Sequence, residues 1–342
     1  MYSVGNPGCQ NGNAGSMSFR RDENMQGKSF VQRVLDQDRL IRPDGPPDRV
    51  QHQKQILGVF GTIRIEDDIP DDAKDSPFRP GTYVAAFRFS NGQPVTAPDQ
   101  KADVRGIAVK YFVGGQEVDL LATNEGGRSH ARNAAEFLDA SDALAELTAR
   151  HVITGLELAT ENLVRHPIDT ARALGILTKE VALHHVDSLT RESYWGSVVE
   201  LAGRPIEYSV HPHSPIAGDI KARGEDPNFL REDLLNRLSG GPIRFDLSIQ
   251  FFRDEMSTPV NDASVKWNAP LVRIGWLEIT AAPKPQDEAS INKMAFNPGN
   301  GFVALGITKD RQAIYAAAAQ HRCALSGEEV RKLFAGAAAA SV

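Results

Sequence analysis

Apolar and polar residues alternate along several short, β-branched stretches of this chain, and that period of two predicts strands. The runs are Ile56–Glu66, Tyr83–Ser90, Ile107–Val113 and Val118–Ala122, followed later by Tyr194–Leu201, Ile206–Val210, Ile243–Phe252 and Leu271–Ala281. Gly114-Gly115 and Ala202–Pro205 read as hairpin turns between neighbouring runs. Between the two sets the period lengthens. Asn133–Leu177 carries apolar residues at helical spacing, with breaks near Gly155 and His166-Pro167. Phe30–Asp36, Phe229–Leu238, Lys309–His321 and Ser326–Ala335 are also helical in pattern, the last opening on a Ser-Gly-Glu-Glu capping box. Four strands, then helices, then four strands joined by short turns indicate an α+β chain. An antiparallel barrel or sandwich with a helical insertion and C-terminal helices fits this order better than βαβ units. Residues 1–45 form a polar, Pro-rich arm, and residues 46–342 are expected to form a single domain.

Composition narrows the function more than the fold. A net charge of −6 on 342 residues lacks the basic face that nucleic acid or an anionic membrane would require. No run approaches the ~18 apolar residues of a membrane span, and the first residues lack the apolar segment of a secretory signal. The two cysteines, Cys9 and Cys323, belong to no CxxC pair, which removes Fe–S, zinc-ribbon and c-type haem attachment motifs. A cytoplasmic protein is expected.

Phosphate loops, a G-x-S-x-G elbow and H-E-x-x-H are all absent. His184-His185 fall in a helical pattern that points them about 100° apart, too far for one metal. His211 and His213 flank a proline at a strand end and read as a surface turn. The C-terminal helix holds more chemistry. Arg311 and Tyr315 are one turn apart, and Arg322 follows Tyr315 by seven, so all three share a stripe. By itself Arg-x-x-x-Tyr describes many solvated helices. The pattern gains meaning if the tyrosine is an axial ligand of ferric haem. A free phenol titrates near 10, so binding iron as phenolate calls for a permanent positive charge close by. Arginine keeps its charge where lysine would not.

Arg311, Tyr315 and Arg322 match the spacing of the proximal helix of haem catalases and their smaller relatives. The resemblance recurs in order along about residues 46–322. Asp48-Arg49-Val50-Gln51-His52 is similar to the segment supplying the distal histidine. Phe87-Arg88-Phe89-Ser90 resembles the V-R-F-S strand, and Asp103–Phe112 resembles D-V-R-G-F-A-x-K-F-Y. Asp119–Asn124 is similar to D-L-V-G-N-N, Asp262–Trp267 to D-x-x-x-x-W, and Phe296-Asn297-Pro298 to F-x-P. Two departures stand out. Ala316–Ala319 replace the usual Pro-Asp-Thr after the tyrosine, and Gln51 stands where catalases have valine.

The resemblance implies an eight-stranded antiparallel β-barrel and a haem, of b type, with iron held by Tyr315. It implies that His52 moves the peroxide's proton and that Asn124 hydrogen-bonds the peroxide. Arg49, Arg88, Arg311 and Arg322 would hold the cofactor, and Phe137 would pack over its distal face. The chain ends soon after Tyr315, without the helical domain that follows in full-length catalases. Bulkier substrates should therefore reach the haem. The expected activity is reduction of organic hydroperoxides and hydrogen peroxide with a small organic reductant, with weak catalase turnover. True catalase activity, rearrangement of fatty-acid hydroperoxides and haem binding without turnover are the alternatives. The oligomeric state is left open, a homo-oligomer included.

Overall fold

The computed structural model describes residues 29–74, 77–149, 186–214 and 226–340. The arm before Ser29, residues 150–177 of the Asn133–Leu177 pattern and His184-His185 lie outside these residues.

Eight antiparallel strands close on themselves. In chain order they are β1 (Gln55–Ile65), β2 (Gly81–Asn91), β3 (Arg105–Val113), β4 (Gln116–Thr123), β5 (Tyr194–Leu201), β6 (Arg204–Pro212), β7 (Ile243–Phe251) and β8 (Val272–Ile279). Each pairs with the next, β8 returns to β1, and Thr123 meets Trp195 to join β4 to β5. A two-residue β9 (Val303–Ala304) adds to β5. The alternation that predicts the strands also fills the barrel. Ala85, Phe87 and Phe89 of β2, Ile107, Val109 and Tyr111 of β3, and Val118, Leu120 and Ala122 of β4 all join the interior core. The alternate residues of β2–β4 therefore face outward.

That outer face is covered by helices. They are α1 (Phe30–Ile41), α2 (Ala134–Ala149), α4 (Pro285–Lys293), α5 (Gly306–His321) and α6 (Gly327–Ala340), while α3 (Phe229–Gly240) instead buries Leu230, Leu234 and Leu238 in the interior core. Val34 of α1, Phe137 and Leu138 of α2, and Ile307 and Ile314 of α5 make a second apolar cluster. Arg33 fixes α1 to α2 through Asp139 at 2.7 Å and Asp142 at 2.6 Å. Ile291 and Met294 beside α4, with Val330 and Phe334 of α6, pack on Ala86 of β2. Among the described α-helices, α4 is the one that periodicity does not predict. It is short and starts on Pro285, a residue suited to a first helical turn, and it buries only Ile291.

One ion pair on the barrel's outer face, Lys110 with Asp119, is fully buried. Lys110 of β3 is 1% exposed, pairs with Asp119 of β4 at 2.6 Å and also contacts Glu117. Asp119 in turn accepts from the Asn297 N–H at 2.9 Å and Asn300 Nδ2 at 2.8 Å, which pins the Phe296–Asn300 loop. Burial pushes the Asp119 carboxyl up, against the opposing pull of Lys110. Removing one partner of a buried pair strands the other. Lys110→Met should therefore lower unfolding free energy by about 3–5 kcal/mol in denaturant titrations at pH 7. The double variant with Asp119→Asn should recover part of that loss.

Candidate functional site

A cavity of about 830 Å³ lies between the outer face of β2–β4 and the helices α1, α2 and α5. Its sheet wall is set by register. Ser90, Gly106 and Thr123 sit opposite one another on β2, β3 and β4. The His52 ring rests on Gly106, where a Cβ would stand 2.8 Å from its Cε1 and 2.9 Å from its Nδ1. Only glycine leaves that place for an imidazole. The Nδ1 atom lies 3.1 Å from Ser90 Oγ, which leaves Nε2 for the cavity. The His52 backbone is left-handed, with φ 53°. Such a conformation costs on the order of 1 kcal/mol outside glycine and survives where surroundings impose it. Here its N–H donates to Gly92 O at 2.9 Å, and its carbonyl accepts from Arg88 at 2.8 Å. Burial pushes His52 down to about 4, with Arg88 adding to the effect and Glu125 opposing it. The ring is thus a neutral base at neutral pH.

The helix α5 forms the opposite wall, with Arg311, Ile314, Tyr315 and Ala318 lining the cavity. Arg322 is the residue that ends this helix rather than part of it, and it still reaches the cavity. It joins Arg49 and Arg88 at one rim. The guanidiniums of Arg49 and Arg322 rest on backbone carbonyls at the C-terminal end of α4, the negative end of its dipole. Arg49 donates to Asn292 O at 2.7 Å and Met294 O at 2.8 Å. Arg322 donates to Met294 O at 2.7 Å. Arg88 reaches Asn292 Oδ1 at 3.3 Å. Burial first, then the charges of Arg88 and Arg322, hold Arg49 well below the ordinary arginine range. Burial and Arg322 lower Arg88 to about 9. The carboxylate acting against this crowding of cations is Asp48.

One sequence expectation changes. Asn124 does not line the cavity. Its Oδ1 accepts from the Arg105 N–H at 2.7 Å and its Nδ2 donates to Glu192 at 2.8 Å. The reason is strand alternation: Asn124 falls on the interior side with Leu120 and Ala122, and Thr123 takes the outward place. Phe137 lines the cavity. Its ring lies 4.4 Å from the Arg311 guanidinium carbon and 5.8 Å from the His130 ring.

The sequence reading also passed over several groups. Thr123 Oγ1 donates to Glu125 Oε2 at 3.0 Å, and His130 Nδ1 lies 3.1 Å from Glu125 Oε1. Burial alone would raise Glu125, but His130, then Thr123 and Arg311, hold it below its ordinary range. Glu207 also lines the cavity, with Oε2 buried and without a hydrogen-bond partner, and burial raises it to about 8. Gln51 spends its amide on Ser141 of α2 at 2.7 Å. Away from the cavity, His211 bonds Ser193 and Ser209, and His213 meets Asp246 at 2.8 Å. Among the described residues no cluster of three metal-binding side chains occurs, and no helix is long and apolar enough to cross a membrane.

The residues present fit a haem. A phenol and a guanidinium stand on one wall and an imidazole on the other, and three crowded cations at the rim suit two carboxylates. The buried Arg311 Nε has no partner, which fits a wall completed by another group.

No family model matches the chain. It is 30% identical over 229 residues to the catalase-related peroxidase of Mycolicibacterium paratuberculosis (strain ATCC BAA-968 / K-10), covering 64% of this chain and 69% of that protein. A bacterial catalase structure aligns over 83% of this chain and 59% of its own, with TM-score 0.64 and 22% identity. For a fungal catalase the values are 84%, 62%, 0.65 and 19%, and for catalase A from Saccharomyces cerevisiae 85%, 64%, 0.67 and 18%. The chain spans less than two thirds of each of these three catalases, and at such identities they speak to the fold.

The pH dependence of stability tests the burial of His52. Folded His52 refuses a proton that the unfolded chain accepts below about 6.5. The unfolded state then binds more protons, so stability falls as pH drops from about 6.5 toward about 4. His52→Gln lacks this loss. Between pH 7 and pH 5, denaturant titrations should show the variant gaining on the parent by on the order of 1–2 kcal/mol.

Proposed function

The chain belongs to the family of catalases and catalase-related peroxidases, and from that premise we propose that it is a haem-dependent peroxidase that reduces organic hydroperoxides and hydrogen peroxide. The observation that carries this reading is a single cavity walled by His52 on one side and by Tyr315 with Arg311 on the other. Tyr315 would hold the iron, and Arg49, Arg88 and Arg322 would hold the propionates. The bound haem supplies the electrons that break the O–O bond.

The protein's part is proton handling and access. His52 is fixed by Ser90 and by its own backbone bonds, so Nε2 meets an entering peroxide in one orientation. A neutral imidazole takes the peroxide's proton and returns it to the departing oxygen, which leaves as an alcohol or water. Thr123, not Asn124, is the hydroxyl on the wall beside it. The cavity continues along Trp195, Val260 and Trp267, which gives an organic hydroperoxide apolar surface to occupy. That extension favours peroxidase over dominant catalase turnover.

Haem titration of the purified protein, read by the Soret band, tests the assignment. The parent and His52→Ala should both take up haem. His52→Ala should lose about 10²–10⁴-fold in the rate of reaction with cumene hydroperoxide. Tyr315→Phe should alter the ferric spectrum or abolish uptake. An unaltered spectrum in Tyr315→Phe, or full peroxide reactivity in His52→Ala, overturns the reading.

A further inference from the structure

Peroxide reduction needs more proton transfer than His52 supplies. Cleavage of ROOH uses the peroxide's own proton, which His52 carries from one oxygen to the other to give ROH. The second oxygen leaves as water, and this requires two electrons and two further protons. An organic donor D–H provides one of each, so two donors complete the balance: ROOH + 2 DH → ROH + H₂O + 2 D•. Each donor must lose its proton as it gives up its electron. A base at the cavity wall serves that step; His52 has by then returned the peroxide's proton, and a second base leaves it free for the next peroxide.

Glu125 has the placement and the chemistry. It follows the outward-facing Thr123, whose register partner is the Gly106 on which the His52 ring rests. Directly paired residues on antiparallel strands lie about 5 Å apart, so Glu125 is attached to the wall next to the imidazole. One carboxylate oxygen accepts from Thr123 Oγ1 at 3.0 Å and the other from His130 Nδ1 at 3.1 Å. A carboxylate can only accept, so Nδ1 carries the hydrogen. Glu125 and His130 both line the cavity, and both side chains keep some solvent contact, 13% and 17% exposed. A proton gained at Glu125 can therefore leave from the partly exposed carboxyl itself, while His130, with its hydrogen on Nδ1, holds the carboxylate in place.

We propose that Glu125, held by Thr123 and His130, is a second proton-transfer group of this cavity, which takes the proton of a phenolic or arylamine reductant while His52 serves the peroxide. This rests on the peroxidase reading above and names the class of its reductant. Donors with an ionisable O–H or N–H should depend on Glu125, and a donor that gives an electron without a proton should not.

The test compares 4-methylphenol with ferrocyanide on the haem-loaded parent and on Glu125→Gln, which keeps the shape and the contact with Thr123. The variant should lose about 10²-fold or more in turnover with 4-methylphenol, the low end of what general-base catalysis contributes, and that loss should exceed its loss with ferrocyanide by at least about tenfold. Equal losses with both donors, or none with either, overturn the proposal. A second readout needs no haem. The His52 titration, followed by NMR on the haem-free protein, should move down in Glu125→Gln, because the carboxylate that favours the imidazolium is gone. An unmoved His52 counts against the shared cavity wall. Failure of haem uptake, or of His52→Ala to slow peroxide consumption, would overturn the peroxidase reading instead. With both of those intact, a parent-like Glu125→Gln overturns only the role of Glu125.

Discussion

The site depends on three guanidiniums being held together against their mutual repulsion. Arg49 precedes the barrel, Arg88 lies on its second strand, and Arg322 ends a helix far along the chain. All three reach the residues that close α4, Asn292 to Met294. The end of a helix offers unpaired carbonyls and partial negative charge, which suits cations but does not neutralise them. Burial is the largest cause of the lowered proton affinity of all three, and for Arg49 and Arg88 the neighbouring guanidiniums add to it. The same convergence positions the chemistry. Arg88 also donates to the carbonyls of His52 and Gln53, so the cation cluster and the strained turn that presents His52 are one construction. Arg322 ties the end of α5, and with it Tyr315, to the same anchor.

The barrel was legible because its signal is local. Period-two alternation is written into each strand, and the interior core follows it from Ala85 to Ile279. All eight predicted runs are strands, most differing by a residue or two at an end. Closure was not legible from alternation, which suits a sandwich as well. It rests on Thr123 opposite Trp195 and on β8 returning to β1, both between residues distant in sequence. The helix α4 escaped for the opposite reason. Its role is polar and terminal, carried by backbone carbonyls that leave no mark on side-chain pattern.

At the site, resemblance placed residues to within one position, and one position matters on a strand. Asn124 and Thr123 are neighbours in sequence but face opposite sides of the sheet. Counting outward from the buried Leu120 and Ala122 would have assigned Thr123 to the cavity and Asn124 to the barrel end. Glu125 and His130 carried no such signal. They follow the strand, and their meeting depends on the loop's path past Ala263, set by Ser129 N–H to Ala263 O at 2.7 Å. Gly106 could be read as a conserved-looking motif letter, but its purpose, to seat an imidazole, appears only when His52 is folded over it.

The charge layout explains why His52 can be such a weak base and still serve. Burial and three guanidiniums disfavour its protonated form, and Glu125 favours it. A strongly basic imidazole would take a peroxide's proton readily but hold it against the departing oxygen. One held near 4 accepts the proton only in concert with cleavage of the O–O bond and releases it as the leaving oxygen gains charge. Low basicity thus makes His52 suited to a transfer that begins and ends on the same substrate. It makes His52 poorly suited to storing a proton between steps. Glu125, kept ionised and partly open to solvent, would accept a donor's proton only as its electron leaves and pass it to water at once, so two acid–base groups on one wall spare either from storing a proton.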